Sequence, residues 1–209
     1  MITLKSAREI EAMDRAGDFL ASIHIGLRDL LKPGVDMWEV EEYVRRRCKE
    51  ENVLPLQIGV EGSIMDYPYA TCCGLNDEVA HAFPRHYILK DGDLLKVDMV
   101  LSEPIDKSVL DVSKLDFDNV AQVKKYTESY AGGLADSCWA YAIGTPSDEV
   151  KNLMEVTREA MYLGIEQAVV GNRIGDIGAA IQEYAESRGY GVVRDLVGHG
   201  VGPTMHEEP

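Results

Sequence analysis

The chain has 209 residues and a formal charge of −15, from 36 acidic against 21 basic side chains, which excludes duplex nucleic acid as the main partner because phosphate binding needs a basic face. Its length supports a full hydrophobic core, and four cysteines without C-x-x-C spacing exclude a small disulfide scaffold or a zinc knuckle. With no basic segment ahead of an N-terminal apolar run and no apolar run long enough to span a membrane, a cytoplasmic chain is expected.

Ser6 and Glu9 form a capping box ahead of Ile10, Met13, Leu20, Ile23, Leu27 and Leu31. That spacing predicts an amphipathic helix, which Lys32-Pro33-Gly34 ends. Asp36 and Glu39 repeat the start signal for a second helix, with Val40, Tyr43, Val44 and Cys48 on its buried face. Extended segments are expected at 53–58, 69–73 and 94–101, and the adjacent Cys72 and Cys73 read as reduced, buried packing residues. At Ser102-Glu103-Pro104 the pattern breaks, and residues 102–133 read as a polar surface insertion. A strand over 136–144 follows it. Thr145-Pro146 then opens a helix with Val150, Leu153, Met154, Met161 and Ile165 on its apolar face, and another helix begins near Gly175-Asp176. Setting Gly34 against Gly171 also pairs Met37 with Ile174, Val40 with Ile177 and Val44 with Ile181. This predicts an internal duplication, two similar α/β halves about a pseudo-twofold axis.

Asp98 interrupts an otherwise apolar strand, where an isolated carboxylate is costly unless it is paired, protonated or bound to a metal. A strand edge facing water and an ion pair with Lys96 are the bland alternatives. Asp136 alone reads as a turn residue, but with Asp98 and His199 it makes a carboxylate and imidazole set suited to Mn²⁺, Fe²⁺, Co²⁺ or Zn²⁺. His199 and His206 sit in the glycine-rich stretch that begins at Gly198. His81 lies in a turn-rich segment and, taken alone, reads as structural, as do His24 and His86.

Taken together, Lys32 to Val35, Asn76 to His81, Lys90 to Asp93 leading to Asp98, Asp136, and Gly198 to Gly202 leading to His206-Glu207-Glu208-Pro209 resemble the type I methionine aminopeptidases, in an insertion-bearing form. The resemblance implies an α+β pita-bread fold, with residues 1–209 one catalytic domain. It implies two divalent metal ions (Co, Mn, Fe or Zn) on five protein ligands, three of which fall on Asp98 (terminal), Asp136 (bridging) and His199. By the same resemblance His81 contacts the scissile amide, His206 the substrate carbonyl, and Tyr67, Cys72 and Met205 wall the methionine pocket. The implied activity is removal of the initiator methionine from nascent polypeptides with a small second residue. Ribosome association, a monomeric state and no membrane partner go with it.

Two departures stand out. Ala82 follows His81 where the family has glycine, and the two glutamate ligands lie downstream of the H-E-E-P segment, so the chain is expected to be C-terminally truncated and inactive as it stands. A Xaa-Pro aminopeptidase or prolidase of the same fold, and a non-catalytic pita-bread binding module, are the alternatives.

Overall fold

The computed structural model describes residues 2–208. Helix α1 (Ala7–Leu30) starts where expected, with Ser6 Oγ accepting from the Glu9 amide and the Glu9 carboxylate accepting from the Ser6 amide. Gly34, at φ +93°, turns the chain into α2 (Trp38–Glu50), whose first amide donates to the Asp36 carboxylate. Strand β1 (Cys72–Leu75) is followed by β2 (Leu94–Ser102), helix α3 (Val120–Thr127) and strand β3 (Leu134–Ala142). A helical hairpin of α4 (Asp148–Glu166) and α5 (Ile174–Ser187) comes last, turning at Gly171 with φ +104°. Both helix pairs thus turn at a positive-φ glycine, as the pairing of Gly34 with Gly171 anticipates. Among the described residues, no helix is long and apolar enough to cross a membrane.

The sheet is antiparallel, in the order β1-β2-β3. Its back face packs on α1 through Ala16, Leu20, Ile23 and Leu27, all almost fully buried, and Val40, Val44 and Cys48 of α2 join the same core. Burying such aliphatic side chains stabilises the fold by roughly 1.5–3 kcal/mol each. Ile10, expected on the buried face of α1, is instead 56% exposed, because the first turns of the helix run past the sheet's coverage.

Two expected strands differ for identifiable reasons. Residues 53–58 lie beside the end of β2, with Leu56 N bonded to Val100 O and Ser102 N to Leu54 O, but Pro55 has no N–H and only an isolated bridge to Leu101 forms. The strand expected from residue 69 begins at Cys72, since Ala70 N and Thr71 Oγ1 donate to the buried Glu41 carboxylate instead of a neighbouring strand.

The segment between β2 and β3 is no mere surface excursion. Val112, Leu115, Phe117 and Val123 are buried in the main core, and Asn52 binds the segment through Ile105 O, Leu110 O and Val112 N. The expected apolar face of α4 also differs. Leu153, Met161 and Ile165 are exposed, because α4 packs mainly on α5, with Gly164 close against Ile177 and Ile181.

Candidate active site

Register determines which side chains share the front face of the sheet. Asp98 stands opposite Cys72 on β1 and Cys138 on β3, and Asp136 stands opposite Val100. Side chains alternate along a strand, so Asp98 and Asp136 are diagonal neighbours on one face. The opposite face carries Val97, Trp139 and Tyr141 toward α1.

The remaining candidates arrive on turns. Gly200 and Glu207 exchange both backbone hydrogen bonds at 2.9 Å, folding residues 200–207 back on themselves and bringing the His199 and His206 rings to 4.5 Å. His199 Nε2 lies 3.6 Å from Asp136 Oδ2. His81 is held at φ +56°, a left-handed conformation that costs a non-glycine residue about 1–3 kcal/mol and is concentrated at functional sites. All eight residues singled out from the sequence (Tyr67, Cys72, His81, Asp98, Asp136, His199, Met205 and His206) line one cleft of about 610 Å³.

Burial, and after it the neighbouring Asp136 carboxylate, pushes the Asp98 carboxyl up to about 6, while burial raises that of Asp136. Among the described residues no Lys or Arg forms an ion pair with either carboxylate, and Lys96 donates instead to Asn76 O. The expected alternative of an Asp98–Lys96 pair is therefore not found. His199 Nδ1 lies 3.0 Å from Gly200 O, and a carbonyl only accepts, so Nδ1 carries a proton and Nε2 is the nitrogen that faces the Asp136 carboxylate. Among the described residues no three His, Cys, Asp or Glu side chains are grouped closely enough to hold a metal ion by themselves. The chemistry of the donors nevertheless fits a divalent ion of the Mn to Zn series.

The apolar wall is more extensive than expected. Gln57, the loop 60–65, Phe83 and Val100 also line the cleft. Tyr67, Tyr69 and Phe83 form an edge-to-face cluster with centroids 5.2–6.1 Å apart. Gln57 Nε2 donates to Cys72 Sγ at 3.3 Å. No periodicity marks Gln57 or the 60–65 loop in the sequence, and only their closeness to Tyr67 could have drawn attention to them. All four cysteines are free, and burial pushes the Cys72 and Cys73 thiols up to about 12, consistent with inert packing.

His24 and His86 lie outside the cleft. His86 pairs with Asp36 at the surface, and His24 is buried behind β3 between Tyr141 and Ser137. The Glu207 carboxylate is bound to the Lys5 ammonium.

A strained histidine, two adjoining carboxylates and two further imidazoles over an apolar-walled cleft suit the chemistry of a metal-dependent hydrolase, the class to which the relatives of this chain belong. A model of Metallopeptidase family M24 matches residues 11–102 and 125–209, leaving out 103–124 within the segment between β2 and β3. A methionine aminopeptidase of Clostridium acetobutylicum is 36% identical over 210 residues, covering 100% of this chain and 72% of that protein. A solved methionine aminopeptidase from Streptococci is 88% identical with a TM-score of 0.91, covering 100% of this chain and 73% of that one. The X-Pro aminopeptidase of Thermotoga maritima superposes with a TM-score of 0.66 at 20% identity, covering 99% of this chain and 49% of that one, a likeness of fold alone. The chain belongs to the methionine aminopeptidases of family M24, which are metallo-aminopeptidases, and it shares their pita-bread fold.

Proposed function

We propose that this protein removes the initiator methionine from nascent polypeptides with a small second residue, acting as a monomer in the cytoplasm on chains emerging from the ribosome. The observation that carries the reading is the convergence of Asp98, Asp136 and His199 with His81 and His206 on one apolar-walled cleft. Asp98, Asp136 and His199 would supply three of the protein ligands to two divalent ions (Co, Mn, Fe or Zn). Bound there, such ions would supply Lewis acidity for the scissile carbonyl and for a water molecule.

The chain's own groups supply the rest. His206 donates a hydrogen bond to the scissile carbonyl oxygen as negative charge develops on it. His81 stands by the leaving amine and carries a proton to its nitrogen. Tyr67, Cys72 and Met205 enclose the thioether side chain and keep water from it, and the buried, protonated Cys72 thiol presents a soft, weakly polar surface suited to sulfur.

Hydrolysis of Met-Ala-Ser and Gly-Pro peptides by Co²⁺- or Mn²⁺-loaded protein that also carries the two glutamate ligands the resemblance calls for tests this. Release of methionine from Met-Ala-Ser is expected, and preferential cleavage of Gly-Pro would sink the reading.

A further inference from the structure

The wall of the cleft that carries Tyr67 is a loop whose outer residues, 60–66, have little support of their own, while Tyr67 itself is tied by its hydroxyl to Thr71 O at 2.9 Å and by its ring to Tyr69 and Phe83. Gly59 N donates to Tyr67 O and Tyr67 N to Val60 O, both at 2.8 Å, closing residues 59–67 into an overhang. Its tip is exposed, with Ile64 at 95% and Met65 at 52%. Among the described residues, one side-chain interaction ties residues 60–66 to another element: Asp66 Oδ2 with Lys124 Nζ of α3, at 2.8 Å.

Lys124 also supports the base of the overhang. A Cβ on Gly59 would stand 2.7 Å from Lys124 Cβ and 3.0 Å from its Cα, and Gly59 sits at φ +91°, so only glycine lets the loop approach the helix this closely. One turn on, Thr127 Oγ1 donates to Ile58 O at 3.1 Å. The helix behind these contacts is itself anchored, by the fully buried Val123 and by Asn119 capping its first turn.

We infer that Lys124 is a positioning residue for the methionine pocket: through Asp66 and Gly59 it holds the Tyr67 loop against the cleft, and so couples the segment between β2 and β3 to recognition of the substrate's first side chain. Asp98 and Asp136 stand on β2 and β3 and do not depend on that loop. Loosening the loop therefore weakens ground-state binding and leaves the chemical step largely intact. This inference rests on the proposed function, since it takes the methionine side chain to lie against Tyr67.

The experiment measures Met-Ala-Ser hydrolysis by the same metal-loaded, glutamate-bearing protein in wild type, K124A, D66A and the swapped pair K124D/D66K. Each single variant should raise KM about three- to fivefold with kcat within about twofold, and the swap should restore KM. An unchanged KM in both single variants, or a rise that the swap leaves in place, overturns the inference. A wild-type chain that leaves Met-Ala-Ser intact counts against the proposed function instead. The fastening is then read from hydrogen exchange at the Gly59 and Tyr67 amides: faster exchange in K124A supports it, and unchanged exchange overturns it.

Discussion

His199 presents Nε2 to Asp136 Oδ2 across 3.6 Å, while its Nδ1 proton is committed to Gly200 O. The gap is too long for a hydrogen bond and within ion-pair reach, a spacing into which a cation held by both the imidazole and the carboxylate would fit. A backbone carbonyl that fixes the tautomer of an imidazole, leaving the other nitrogen free as a donor, is the usual support of a metal-binding histidine.

The H199A variant should therefore lose divalent-ion affinity. Removing a supporting partner of a metal ligand already costs about 10–100-fold, so removal of the ligand itself should cost at least about 100-fold. Isothermal titration with Co²⁺ or Mn²⁺ on wild type and H199A measures this. Equal affinities would remove His199 from the ligand set.

Much of the site was legible because its residues break local patterns. Asp98 stands in an apolar strand, and His199 and His206 stand among glycines, so each signals a cost or a freedom that ordinary packing does not require. Grouping Asp136 with Asp98 rested on donor chemistry and on the resemblance and not on pattern, since their adjacency depends on a register spanning the whole segment between β2 and β3. The helix starts at Ser6 and Asp36 were readable from capping chemistry. What could not be read depends on tertiary partners. Glu41 captures the Ala70 amide and so shortens β1, Pro55 interrupts a pairing, and the core role of Val112 and Phe117 lies in a segment whose polarity suggests a surface loop.

His24 provides the clearest pH dependence. Its ring stacks on Trp139 at 4.7 Å and 3°, with Nδ1 2.7 Å from the Tyr141 hydroxyl and Nε2 3.1 Å from Ser137 Oγ. The Tyr141 hydroxyl donates to His24 O, so Nδ1–H donates to that hydroxyl and Nε2 accepts from Ser137. Burial lowers the pKa of the imidazole to about 4, against 6.5 in the unfolded chain. Between these values the unfolded state binds the extra proton, so stability rises with pH. The contribution is complete above about 6.5 and is lost as pH falls through about 4, a total of about 3 kcal/mol. Urea unfolding from pH 4 to 7.5 should show this slope in wild type and not in H24Q; parallel slopes would contradict it.

Glu41 is fully buried and its carboxylate is satisfied three ways, by Arg45 Nε at 2.6 Å, Ala70 N at 2.8 Å and Thr71 Oγ1 at 2.6 Å. It joins α2 to the residues just ahead of Cys72. E41A leaves a buried amide and hydroxyl without their acceptor and takes from Arg45 one of its two carboxylate partners, the other being Asp118, and should cost about 3–5 kcal/mol. The denaturant midpoint reports the loss. E41A/R45A should be less destabilised than the sum of the two single variants, because both single changes lose the same Glu41–Arg45 contact.

Two glycines beneath or within α1 should respond to alanine with opposite signs. At Gly133, where the chain enters β3, an added Cβ would meet Ala12 C at 2.2 Å and Ala12 O at 2.3 Å. These are backbone atoms of a helix pinned to the sheet, and the neighbouring Glu103 both pairs with Arg15 and accepts from Gly133 N, so the helix cannot move away cheaply. G133A should destabilise by about 1–3 kcal/mol through this overlap. Gly17 lies in the interior of α1 with nothing within 4 Å of the added carbon. There the substitution only restricts the unfolded chain and improves helix propensity, and G17A should stabilise by about 0.5–1 kcal/mol. Thermal unfolding of both variants checks the pair. A stabilised G133A would mean that α1 does not pack on the start of β3 this closely.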